Sequence, residues 1–126
     1  MSVVHDASSL LAVAFREPGA DRARAALRGS FVSSVNWSEV MQKVAARSGD
    51  TSHLRQLFGG LGVGIVPFSA EHAERAAALY PNTKAYGLSL GDRACLALGL
   101  MTSREVYTAE SIWANVALEL KITAIR

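Results

Sequence analysis

The chain has 126 residues, half of them hydrophobic and 19% charged. That composition fits one globular domain over residues 1–126 and excludes a disordered or low-complexity chain. A net charge of +2 with scattered lysines and arginines permits a nucleic-acid partner without demanding one, while the lone Cys95 excludes an internal disulfide and fits a reducing, cytoplasmic setting.

Val3-Val4-His5-Asp6 reads as a short strand ending in an acid, too early in the chain to follow a secretory signal. Leu10, Leu11, Ala14 and Phe15 fall on one face of the helix that follows, and Pro18-Gly19 stops it. A second helical stretch covers 20–28. Phe31 to Val35 is the next strand; Asn36 then reads as an N-cap, with Glu39 at the third position of the helix it opens. In that helix Trp37, Val40, Met41, Val44 and Ala45 form the core stripe. Residues 51–58 predict another helix, and Val63 to Phe68 a strand closed by Pro67. Ser69 opens a helix through the alanines to Tyr80, and 83–87 is a connector. Leu88 to Met101 follows, an apolar helix with Ser89 as N-cap and Asp92 at the third position. Glu105-Val106-Tyr107 is a short strand, 108–110 a turn, 111–115 a short helix and Lys121 to Ile125 the last strand. No stretch reaches the ~18 apolar residues of a membrane span.

Short Val/Ile-rich strands alternating with helices predict an α/β fold with a mainly parallel sheet covered on both faces. In such sheets ligands bind beyond the carboxyl ends of the strands. Asp6, Glu39, Asp92 and Glu110 all fall at that edge and come from four separate segments. Each has an ordinary structural role open to it: Glu39 and Asp92 as capping-box acids, Asp6 as a helix cap, Glu110 as a first-turn acid. Crowded together, however, carboxylates repel one another unless a cation is present. An all-oxygen cluster suits Mg²⁺ or Mn²⁺, which in turn suits phosphodiester hydrolysis. His5 should point away from Asp6 and reads as a core or rim residue. His53 and His72 read as surface residues, and Cys95 as a small core residue. No nucleophilic triad competes. Gly59-Gly60-Leu61-Gly62 lacks the rest of a phosphate-binding loop.

Four blocks of this sequence resemble the PIN-domain family, and within it the VapC-type toxins of bacterial toxin–antitoxin pairs. They are Asp6-Ala7-Ser8-Ser9-Leu10-Leu11-Ala12, Asn36-Trp37-Ser38-Glu39-Val40, Leu88 to Ala97, and Thr108-Ala109-Glu110 followed by Trp113. The resemblance implies a three-layer α/β/α sandwich and a Mg²⁺- or Mn²⁺-dependent endoribonuclease. Asp6, Glu39 and Asp92 match the family's core acids, with Asp6 and Asp92 as metal ligands and Glu39 completing the cluster or orienting water. Glu110 stands where the family usually has Asp, and Thr108 matches a hydroxyl position. The resemblance further implies a VapB-like antitoxin that blocks the site, an RNA substrate, and a homodimer that can enter a larger assembly. Arg16, Arg28, Lys84 and Arg93 are candidates for phosphate contacts, although a solvated surface role suits each of them as well. Trp113 reads as a packing residue. Two other functions are open: a degenerate PIN domain that only binds its partner, and a receiver-like signalling domain. The latter requires an acid ending a middle strand and a lysine beyond a late one, whereas Asp50 follows a helix and Lys121 precedes the last strand.

Overall fold

The computed structural model describes residues 2–126. Five parallel strands form one sheet in the order β3-β2-β1-β4-β5: β1 (Val4–His5), β2 (Phe31–Ser33), β3 (Gly64–Val66), β4 (Val106–Thr108) and β5 (Ile122–Ala124). Seven α-helices are present among the described residues: α1 (Ala7–Phe15), α2 (Ala20–Ala25), α3 (Ser34–Ala46), α4 (Thr51–Gly60), α5 (Ala70–Ala78), α6 (Tyr80–Thr83) and α7 (Leu90–Thr102). The expected parallel α/β architecture is what the chain adopts.

The pleat divides the core in two. Val32 packs with Leu10, Leu11, Val40 and Phe58 from helices α1, α3 and α4 and with Leu27, just beyond α2. Val4 and Val106 pack with Leu96, Leu98 and Trp113 on the opposite face. The apolar run of α7 explains its position, because Ala94 to Gly99 are all buried. Its capping box is complete: Asp92 N–H donates to Ser89 Oγ at 3.2 Å, and Ser89 N–H to Asp92 Oδ2 at 2.9 Å.

Several boundaries differ from the sequence-based expectation. β1 stops at His5, and Asp6 is the N-cap of α1 rather than a strand residue. α2 ends at Ala25, before Arg28. The connector expected at 83–87 is largely helical, with α6 reaching Thr83 and a 3-10 turn over Lys84–Tyr86, because Pro81 sits in the first turn of α6, where no N–H is needed. Thr108 belongs to β4 and Glu105 does not. His72 is buried rather than on the surface, with its ring edge-on to Phe68 at 6.1 Å. His53 is exposed, whereas Cys95 and Trp113 are core residues.

His5 is also fully buried. Its Nε2 faces the Ala26 carbonyl at 3.2 Å, so that nitrogen carries the proton, and Nδ1 accepts from Ser9 Oγ at 2.8 Å. Burial pushes its pKa down to about 4, against the Ala26 bond. It stays neutral and pins the start of α1 to the end of α2.

Candidate active site

In the order 3-2-1-4-5 the chain leaves β1 toward one side of the sheet and later returns to β4 on the other. The crevice at the carboxyl ends of β1 and β4 is therefore the switch point where α/β sheets bind ligands. A cavity of about 450 Å³ opens there, and Asp6, Glu39, Asp92 and Glu110 all line it. Four segments far apart in sequence thus bring carboxylates to one wall system.

Asp6 lies deepest, 3% exposed. Strand register carries it there: Val4 pairs with Val106 and His5 with Tyr107, and Asp6 N–H continues the ladder to the Tyr107 carbonyl at 3.1 Å. Its Oδ1 caps α1 by accepting from Ser9 N–H at 2.8 Å. Its Oδ2 accepts from Thr108 Oγ1 at 2.7 Å, and Ser8 Oγ lies 2.8 Å from both carboxylate oxygens. Ser8 Oγ and Thr108 Oγ1 in turn accept from the N–H groups of Ala109 and Glu110, at 2.8 and 3.0 Å. The two hydroxyls therefore tie the acid to the turn that carries Glu110. Desolvation still outweighs these bonds, and with a small contribution from the Asp92 charge the Asp6 carboxyl is pushed up to about 7. A carboxylate so deeply desolvated lacks a counter-charge.

Glu39 reaches the cavity differently from the expected capping box. Ser33, not Asn36, caps α3, accepting from Val35 N–H at 3.3 Å, and the helix begins at Ser34. Glu39 is therefore the sixth residue of α3, beyond the first turn, and no capping role accounts for it. Asn36 is 1% exposed and donates from Nδ2 both to Glu39 Oε1 and to the Gly91 carbonyl, each at 2.9 Å, while its own Oδ1 is buried without a partner. It locks the Glu39 side chain to the first turn of α7. Gly91 makes room for this: a Cβ there would meet Glu39 Oε1 at 2.5 Å. The thiol of buried Cys95 in α7 is raised well above its usual range by burial, then by the charges of Asp6, Asp92 and Glu39. Glu110 is exposed at the rim and precedes a 3-10 turn over Ser111–Asn115.

The oxygen-only donors fit a hard divalent cation, and neither histidine nor cysteine lines the cavity. The buried, uncompensated Asp6 is the second mark of such a site. As they stand, no three His, Cys, Asp or Glu side chains among the described residues are close enough to share one ion. A cation would have to draw the carboxylates inward from their hydrogen bonds to Asn36 and Ser89.

Sequence reasoning missed three cations. Lys43, Arg47 and Arg126 line the same cavity. Lys43 and Arg47 follow Glu39 at i+4 and i+8, so helical periodicity was the available signal. Arg126 carried no signal; it arrives by the fold. Gly19, at φ 92°, lets Ile125 approach so closely that a Cβ would meet its carbonyl at 2.7 Å, and Arg126 then bonds Glu17 and the Pro18 carbonyl at 3.3 and 3.2 Å. The arginines and lysine expected to touch phosphate lie elsewhere. Arg16, Arg28 and Lys84 are exposed and do not line this cavity. Arg93 turns to α5, donating to the Ala76 carbonyl at 3.0 Å beside the Tyr80 ring.

Comparison with solved structures finds the same fold repeatedly. A toxin–antitoxin complex from Klebsiella pneumoniae superposes with a TM-score of 0.79 at 22% identity, over 99% of this chain and 98% of that one. The Mycobacterium tuberculosis VapC20, described as a Sarcin-Ricin loop cleaving toxin, gives 0.73 at 16%, over 95% and 99%. VapBC2 from Rickettsia felis, bound to a promoter DNA fragment, gives 0.70 at 13%, over 98% of each chain. No curated protein sequence matches. The family profile described as PIN domain matches residues 3–119. With the four acid-bearing segments now seen around one crevice of a parallel sheet, the chain belongs to the PIN-domain family.

Proposed function

We propose that this chain, as a single PIN domain over residues 1–126, is the toxin of a toxin–antitoxin pair and a Mg²⁺- or Mn²⁺-dependent endoribonuclease. The observation that carries this reading is the convergence of four carboxylates on one cavity, with Asp6 buried and lacking a counter-charge. Asp6 and Asp92 are the ligands that would hold the cation, and Glu39 completes the set. A bound divalent ion supplies charge neutralisation on the phosphoryl oxygens and a lowered pKa for bound water. The chain's own groups do the rest. Ser8 and Thr108 fix the Asp6 carboxylate, Asn36 fixes Glu39, and Glu39 is placed to orient a water or accept its proton. Glu110 acts from the rim through water, its longer side chain suiting contact at one remove. The toxin–antitoxin complexes among the structural neighbours support a VapB-like antitoxin as partner, and the homodimer follows the same family pattern. A reducing cytoplasm suits the free Cys95.

The test is cleavage of RNA by the purified chain with Mg²⁺ or Mn²⁺, against Asp92→Asn. The expected loss in the variant is about a thousandfold or more, the several kcal/mol that metal-ion catalysis supplies. An unchanged rate removes the proposal. The degenerate, binding-only reading draws on the separation of the carboxylates as they stand. Calorimetry of the free protein showing no divalent-ion binding would favour it. The receiver-like reading has no support in the fold: Asp50 caps α4 instead of ending a strand, and Lys121 precedes β5.

A further inference from the structure

Lys43 and Arg47 share the cavity with the acids, yet neither pairs with one. Among the described residues the ion pairs are Arg24–Asp21, Arg75–Glu71, Lys121–Glu105 and Arg126–Glu17. Arg126 is thus already neutralised, while Lys43 and Arg47 have no carboxylate within 4.0 Å. Both are exposed. Arg47 is also held in place: its guanidinium lies over the Phe15 ring, 4.0 Å from the centroid, so little side-chain freedom is lost when it engages a ligand. Along α3 Glu39 and Lys43 stand on one face, about 6 Å apart along the axis, and Arg47 follows as the C-cap of the helix. The wall therefore passes from an acid that would hold a cation to two unpaired cations leading out to solvent. Positive charges left open beside a carboxylate cluster are free to take an anion from outside the chain.

We infer that Lys43 and Arg47 form a phosphate-binding track for the backbone of single-stranded RNA on one side of the scissile bond, with Arg47 held over Phe15 to meet it. This rests on the nuclease reading. The track positions the strand by charge and does not select bases.

The test is fluorescence anisotropy of a labelled single-stranded RNA oligonucleotide with the Asp92→Asn protein, which keeps the strand intact, across a salt series. Lys43→Gln combined with Arg47→Gln should weaken binding about tenfold or more at low salt. It should also reduce the slope of log affinity against log salt by about 1.4, roughly 0.7 for each phosphate no longer neutralised. Arg47→Lys, which keeps the charge and loses the Phe15 stack, should weaken binding with the slope unchanged. Arg75→Gln, on α5 and away from the cavity, should change neither. An unaltered slope in the double variant, with melting showing it folded and with the parent binding RNA in a salt-dependent way, overturns the track alone. A parent that binds no RNA overturns the track together with the nuclease reading. Loss of binding to a poly-glutamate peptide, with RNA binding intact, also overturns it and assigns the cations to an acidic protein partner.

Discussion

Two helix mouths open on the same cavity, and they hold their acids in different ways. At the mouth of α7, Asp92 closes a capping box with Ser89 three residues away. At the mouth of α1, Asp6 caps its helix too, but a further bond comes from Thr108, 102 residues along the chain. The first arrangement is local and keeps Asp92 in partial contact with water. The second forms only when β1 and β4 pair, and it strips the carboxylate of solvent. An acid at a helix N-terminus is thus a routine stabilising feature until tertiary structure closes over it.

The largest expected contrast between the mouths is in catalysis against stability. Asp6→Asn and Asp92→Asn should both abolish RNA cleavage, by about a thousandfold or more, yet only Asp6→Asn should stabilise the cation-free fold. Asp6 rises from 3.8 to about 7 on folding. The folded chain therefore holds this proton more tightly than the unfolded one. That stability is fully present below about pH 4 and is lost as pH rises through about 7. In chelator, the urea midpoint of the parent relative to that of Asp6→Asn should fall steadily across that window, both proteins sharing the His5 titration. Above pH 7 the variant should be the more stable by a few kcal/mol. A midpoint difference between the two proteins that ignores pH there would erase the distinction between the mouths.

Next in size is Gly91→Ala. The added methyl would displace the Glu39 carboxylate from its place against α7. Calorimetry with Mn²⁺ should show affinity falling about 10–100-fold, the usual cost of disturbing a ligand's support. The α7 capping box should be preserved, with little loss of thermal stability.

His5, one residue before Asp6, supplies an opposing pH dependence. Its pKa falls from 6.5 to about 4 on folding, so its contribution is present above 6.5 and lost as pH falls through 4. His5→Gln, by breaking the two bonds to Ser9 and Ala26, should cost about 1–3 kcal/mol at pH 7 and flatten the acid limb of the stability profile. The smallest effect belongs to Ser89→Ala, which removes half of the α7 cap. It should cost about 1 kcal/mol, seen as a drop of a few degrees in Tm, while Asp6 remains untouched.

Much of this geometry was legible because acids at strand ends and caps at helix starts leave local marks. The Ser89–Asp92 box and the placing of Asp6 directly after β1 are of that kind. The start of α3 was not legible, since Ser33, Ser34 and Asn36 are all good caps and the Phe31–Val35 run has strand composition. A cap at Asn36 would give Glu39 a capping role that it does not have. The true start at Ser34 puts Asn36 in the interior, where only tertiary contact with Gly91 explains it. The burial of His72 leaves no local mark, because α5 mixes alanines with charged residues and the face it covers depends on where the helix docks. Arg126 reaches the cavity only through the strand order, which no local pattern encodes.

Cys95 offers one more use. It is the sole thiol of the chain, fully buried in α7 and held protonated first by that burial and then by the charges of Asp6, Asp92 and Glu39. In the closed molecule it should ignore alkylating and oxidising reagents, because the reactive thiolate is neither formed nor reachable. Its modification rate therefore clocks how often the helix lifts from the sheet. An ion or an inhibitor protein gripping the crevice should slow that clock without touching sulfur.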